Sequence, residues 1–100
     1  MTAANATFAL PYEHVAASQT AQVLGTTGAT GDYLHRLVIT VGTAATSTVT
    51  LLDGATSHVL VSANTPIGVY SIEMNTFSKT GAWKVTTGAG AEVLAMGNFT

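Results

Sequence analysis

The chain has 100 residues, a net charge of −2 and no cysteine. That length makes one domain, and the missing thiols exclude disulfide staples, thiolate metal sites and thiol catalysis. Only 8% of residues are charged, against about 25% in ordinary domains, and the cations Arg36, Lys79 and Lys84 stand apart, which argues against a phosphate-tracking patch for nucleic acid.

The N-terminus Met1-Thr2-Ala3-Ala4-Asn5 has no basic n-region or apolar core, so no signal peptide is expected. No apolar run approaches the roughly 18 residues of a membrane span. The expectation is a soluble chain made in a cytoplasm, with no membrane partner. Ala, Thr, Gly and Ser replace the usual surface Lys and Glu. A free monomer normally uses charge for solubility, so such a surface points to a protein packed into an assembly.

Residues 1–17 read as an N-terminal arm. Phe8-Ala9-Leu10-Pro11-Tyr12 is either a short edge strand or a tucked anchor, since Pro11 bars it from central pairing. Glu13 to Ala17 is the one helix-tolerant spot, too short to stand alone. The rings of Phe8 and Tyr12 either reach a neighbour or fold back onto their own core.

Residues 18–100 read as the folded domain. Gln19 to Leu24 alternates weakly, as a strand. Gly25, Gly28 and Gly31 then supply positive-φ positions for a wide turn. A phosphate loop is rejected there, because no Lys and no helix follow. Tyr33 to Val41 is the longest aliphatic and β-branched run and reads as the central strand. Simple alternation puts Tyr33, His35, Leu37, Ile39 and Val41 on one face, and Leu34, Arg36, Val38 and Thr40 on the other.

Ser47 to Leu52 is a strand with Val49 and Leu51 inward. Asp53-Gly54 is the strongest hairpin signal, with Ser57 to Val61 returning. After the break at Ser62 to Pro66, Ile67 to Met74 alternates, Tyr70, Ile72 and Met74 opposing Val69, Ser71 and Glu73. A bend at Asn75-Thr76 precedes Phe77 to Lys79. Ala82 to Thr86 follows, with Trp83 and Val85 inward, and Glu92 to Phe99 is the last strand. Seven to eight short strands with Gly-rich turns and no credible helix define an all-β antiparallel sandwich or small barrel.

Chemistry-bearing residues form no constellation. His14, His35 and His58 fit no compact metal spacing; His35 and His58 make a pair only if they face each other across a sheet. Asp32 and Asp53 sit in turns, where Asp is expected for backbone reasons. Glu73 and Glu92 read as outward strand positions, so the paired carboxylates of a glycosidase are missing. No Gly-x-Ser-x-Gly elbow exists. Trp83 reads as the core's largest filler rather than a sugar platform. Arg36 is expected to pair with Glu73, Glu92 or a neighbouring subunit. No catalytic residue, metal site or cofactor is expected, and the chain is read as not an enzyme.

The run Thr20 to Leu34, with Asp53-Gly54 and Gly81-Ala82-Trp83-Lys84-Val85-Thr86-Thr87, resembles a class of small tailed-bacteriophage structural proteins over residues 18–100. The resemblance implies a virion β-sandwich, most like a jelly-roll-like capsid decoration (cement) protein. It also implies a homotrimer on the capsid surface, bound to the major capsid protein and made in the host cytoplasm. No functional residue carries over, since the class has no shared catalytic motif. Phe8, Leu10, Tyr12 and Arg36 are the expected interface residues, and the arm with one sandwich face is the expected capsid contact. The rival reading is a tail or fibre module that binds host-surface glycan through an exposed Trp83 and Tyr70.

Overall fold

A computed structural model describes residues 11–43 and 48–100. Eight strands run in order: β1 (Tyr12–Val15), β2 (Gln22–Val23), β3 (Tyr33–Val41), β4 (Val49–Asp53), β5 (Thr56–Val61), β6 (Gly68–Phe77), β7 (Trp83–Thr86) and β8 (Ala91–Asn98). They form two four-stranded sheets, ordered β1-β8-β3-β6 and β2-β7-β4-β5. Every pairing is antiparallel. First pairs with last, second with seventh, third with sixth and fourth with fifth. The chain is one long hairpin wrapped over itself, which is the jelly-roll topology.

The inward residues of both sheets meet in one core. Val15, Leu34, Leu37, Ile39, Val41, Val93 and Ala95 come from the first sheet, and Val49, Leu51, Trp83 and Val85 from the second. Tyr70, Ile72 and Met74 pack against it from β6, as their alternation indicates. β3 is central, flanked by β8 and β6.

Three expectations change. The arm ends earlier than residue 17, because Tyr12–Val15 pairs with Met96 to Val93 of β8 and Val15 is fully buried. Pro11 stands just outside this edge strand, where its missing N–H breaks no ladder bond, and its carbonyl accepts from Gly97 N at 3.1 Å. The helix-tolerant stretch is therefore a strand in its first half. Secondly, Gln19 to Ala21 is not strand. Ser18 and Ala21 take positive φ, and the segment is instead pinned to Thr86 and Thr87 by hydrogen bonds. Thirdly, Asn75 bends β6 with φ of 49° but does not end it.

Alternation along β3 also fails at one point. Between Leu34 and Arg36, two steps on β3 face one step on β8 and three on β6. His35 is the bulged residue, and a bulge reverses the parity of everything before it. Leu34 therefore joins the core, fully buried, and Tyr33 leaves it.

Two glycines hold the chain at close approaches. Asp53 faces Thr56 across the two-residue loop Gly54-Ala55, and φ is positive at Gly54 alone (62°), as in a type II′ turn. Gly97 lies where an added Cβ would overlap the carbonyl oxygen of Tyr33 and crowd the Phe99 ring. Backbone cannot yield there as a side chain would. Gly97→Ala is expected to cost about 3 kcal/mol, at the top of the usual overpacking range. Chemical denaturation checks this; a loss below about 0.5 kcal/mol, the size of an ordinary surface change, would mean the strands part easily.

Candidate interaction surface

The two long sides of the sandwich differ. On one side lie the edges β1 and β2, and polar contacts close it. Glu13 accepts hydrogen bonds from Gln22 Nε2 (2.9 Å) and from Gly25 N (2.6 Å). Thr87 Oγ1 donates to Ala16 O (2.6 Å) and accepts from Gln19 N (3.0 Å). Glu13 and Thr87 thus join segments far apart in sequence and leave that side sealed.

One end of the sandwich, around the connection from β6 to β7, is tied by two aspartates. Asp32 is buried. Its carboxylate accepts from Ala29 N (3.0 Å), Thr100 N (2.9 Å) and Thr100 Oγ1 (2.6 Å). Its carbonyl accepts from Ser78 N (3.0 Å) and Trp83 Nε1 (2.9 Å). Asp53 accepts from Lys79 N and Thr80 N, each at 3.0 Å. Burial opposes ionisation at both sites, but the hydrogen bonds outweigh it and hold both carboxyls below the ordinary 3.8. Both aspartates serve the fold: every carboxylate oxygen is turned to the protein's own donors.

The side bounded by β5 and β6 is open. Both are edge strands. Between them lies an open cleft of about 520 Å³, lined by Leu60, Val61 and Ser62 of the β5 end, Thr65, and Val69 to Ile72 of β6. Four consecutive β6 residues can line one cleft only if it runs along the strand's free edge, since their side chains alternate between faces. Val59, Ile67 and Val69 nearby are each more than 60% exposed. Natural edges are usually blunted by charge, bulges or cover. Here residues 54–72 contain no Asp, Glu, Lys or Arg.

The outer face of the first sheet is the second exposed surface. Cross-strand pairing places Tyr12, Met96, Arg36 and Glu73 in one row, and His14, Leu94, Val38 and Ser71 in the next. Arg36 binds Glu73 at 3.1 Å, one of the partners expected for it. His14 approaches Glu92 at 3.5 Å. Tyr33 Oη lies 3.2 Å from His35 Nδ1 and donates to Asn75 Oδ1 at 2.9 Å. The face is mixed: Tyr12, Val38, Leu94 and Met96 supply its apolar part, and the Arg36–Glu73 and His14–Glu92 pairs lie among them.

Of the expected interface residues, Tyr12 and Arg36 fall on this face in the same row; Phe8 and Leu10 lie outside the described residues. His35 and His58 sit in different sheets, so they do not pair across one. Among the described residues, no group of three His, Asp or Glu side chains is placed to hold a metal ion. Trp83 is buried in the core, and Tyr70 Oη is held by Pro66 O at 2.7 Å. The exposed platform of the glycan reading is therefore missing. Sequence reasoning passed over the β5–β6 cleft, although the uncharged run 54–72 marked it.

No family model, curated protein or solved structure matches this chain. No helix among the described residues is long and apolar enough to cross a membrane.

Proposed function

We propose that this jelly roll is a capsid decoration protein, a homotrimer that binds the major capsid protein on the outside of a phage head and braces it. One observation carries the reading: a sparsely charged domain whose two turn aspartates are spent on its own loops, while Tyr12, Val38, Leu94 and Met96 stand together on the outward face of one sheet. Cementing needs buried apolar and backbone contacts between neighbours rather than chemistry. Several copies of one weak contact on a symmetric oligomer accumulate avidity. The outer face of the first sheet, with Tyr12, Val38, Leu94 and Met96, is the proposed capsid contact.

The glycan-binding alternative gains nothing from the buried Trp83. It keeps its place as an outcome of the test.

Cryo-EM of the parent particle is the direct test. Density for this fold at regular lattice positions is the expected result. Density confined to a tail tip or fibre would transfer the protein to host recognition, and none anywhere would end the virion reading. Leu94→Lys should weaken binding to undecorated heads at least tenfold, about 1.4 kcal/mol, with an unchanged melting temperature. Unaltered binding would remove this face from the contact.

A further inference from the structure

We infer that the cleft between β5 and β6 receives the N-terminal segment of a second copy of this chain, which adds a strand to the free edge of β6 through Phe8-Ala9-Leu10. The inference concerns self-association and does not depend on the virion reading.

Three observations carry it. First, β6 is ten residues long and, among the described residues, pairs only with β3. Its other edge borders the cleft, so its free N–H and C=O groups lie where an added strand would meet them. Strand addition of this kind draws affinity from main-chain hydrogen bonds and specificity from alternate side chains. The walls supplied by Leu60, Val69, Tyr70 and Ile72 suit apolar side chains.

Secondly, the chain's own composition supplies a matching strand. In Thr7-Phe8-Ala9-Leu10 the large apolar residues are two apart, so an extended backbone puts both on one side. The segment carries no charge to oppose burial. Pro11 follows it and limits its pairing to an edge.

Thirdly, geometry excludes the same chain as donor. Pro11 is fixed beside Gly97 at the β1 edge. The cleft lies on the far edge of that sheet, beyond β8, β3 and β6. Three strand spacings alone are about 14 Å. Phe8 is three residues from Pro11 and reaches about 10 Å at full extension. Only a neighbouring copy can place Phe8 and Leu10 in the cleft. Donor and acceptor surfaces differ, so the contact is head-to-tail and closes into a ring when its rotation allows. A trimer is one such ring.

The test is the solution mass of the full chain by light scattering, alongside a variant lacking residues 1–10 and the double variant Val69→Lys/Ser71→Lys. Val69 and Ser71 point outward from β6, so lysines there guard the edge without entering the core. The full chain is expected to be oligomeric at about 100 μM, a concentration that populates even contacts of modest affinity. Both variants are expected to be monomeric, with unchanged β-sheet circular dichroism. A synthetic peptide of residues 1–11 added to the truncated chain should shift amide NMR signals of Leu60 to Ser62 and Val69 to Ile72.

A monomeric full chain overturns the inference. So does an oligomer that survives the truncation; if that oligomer still dissociates with the two lysines, the occupant is another edge of the second copy. Particle binding is scored separately, so failure of the capsid reading leaves these outcomes intact.

Discussion

Trp83→Ala should lower the stability of the domain by about 3–5 kcal/mol, the usual cost of emptying a large aromatic site. Trp83 is 4% exposed and starts β7, between β2 and β4. Its indole is the largest side chain in the core, and its Nε1–H donates to the carbonyl of Asp32 at 2.9 Å. Two losses therefore coincide, the apolar contact area and one buried hydrogen bond. The area dominates. The Asp32 carbonyl keeps a second donor, Ser78 N at 3.0 Å, so it is not orphaned, and the bond alone is worth about 1 kcal/mol. Trp83→Phe separates the terms, since it keeps most of the ring and removes the donor. For a domain of this size each kcal/mol moves the melting temperature by about 4–8 °C. The alanine variant should thus melt roughly 12–40 °C lower. Against a total stability of only about 5–15 kcal/mol, that loss is global in its effect: partial unfolding at growth temperature is the expected phenotype. Thermal circular dichroism decides it, and a drop under 5 °C would mean that the indole is dispensable filler.

That Trp83 belongs to the core was legible from its alternation with Val85 in a small sandwich. The same period-two logic located β3, β6, β7 and β8, because each buries one face and exposes the other. It failed where backbone geometry overrides the period. The bulge at His35 turned Leu34 inward, and nothing in Leu34-His35-Arg36 announces an extra residue. A bulge is specified by both neighbouring strands, here by Asn75 with positive φ on one side and Gly97 on the other. Those partners are distant in sequence, so the signal exists only after pairing.

The surface was less legible than the core for a related reason. An edge strand and a central strand differ in what lies beside them, which one chain's periodicity does not encode. β5 and β6 read as ordinary strands, yet topology leaves both at the open side. The available signal was negative, an absence of charge over residues 54–72. Absence is informative only once those residues are known to form an edge, where charge is the usual guard. Glu13 shows the converse. A polar residue in an expected arm proved to be a bracket from β1 to β2 and the loop after it, because its partners Gln22 and Gly25 come near only in the folded sandwich.

Asp32 shows most sharply how a turn residue becomes structural, and it carries the second large expected effect. Asp32→Ala removes an acceptor shared by Ala29 N, Thr100 N and Thr100 Oγ1. Hydrogen bonds to a charged group are worth about 1.5–3 kcal/mol, and donors left buried without a partner cost more. The expected loss is about 2–4 kcal/mol. Asp32→Asn keeps the shape but turns an NH2 toward one of these donors, so it should recover only part of the loss. The pH dependence gives an independent reading. Burial raises the carboxyl's pKa, yet the bonds from Thr100 and Ala29 prevail and depress it below 3.8 in the folded chain. A depressed carboxyl contributes stability that is complete above its unfolded pKa, about 3.9, and is lost as pH falls through the lower folded value. Asp53 is shifted in the same direction by its bonds to Thr80, Lys79 and Gly81, again against the burial penalty. The native protein should therefore hold its stability from neutral pH down to about 4 and lose it below. Urea titrations at pH 7 and pH 3 should show a smaller pH-dependent loss for Asp32→Ala than for the native chain. Equal losses in the two proteins would place the acid-labile contacts elsewhere and leave Asp32 an ordinary turn residue.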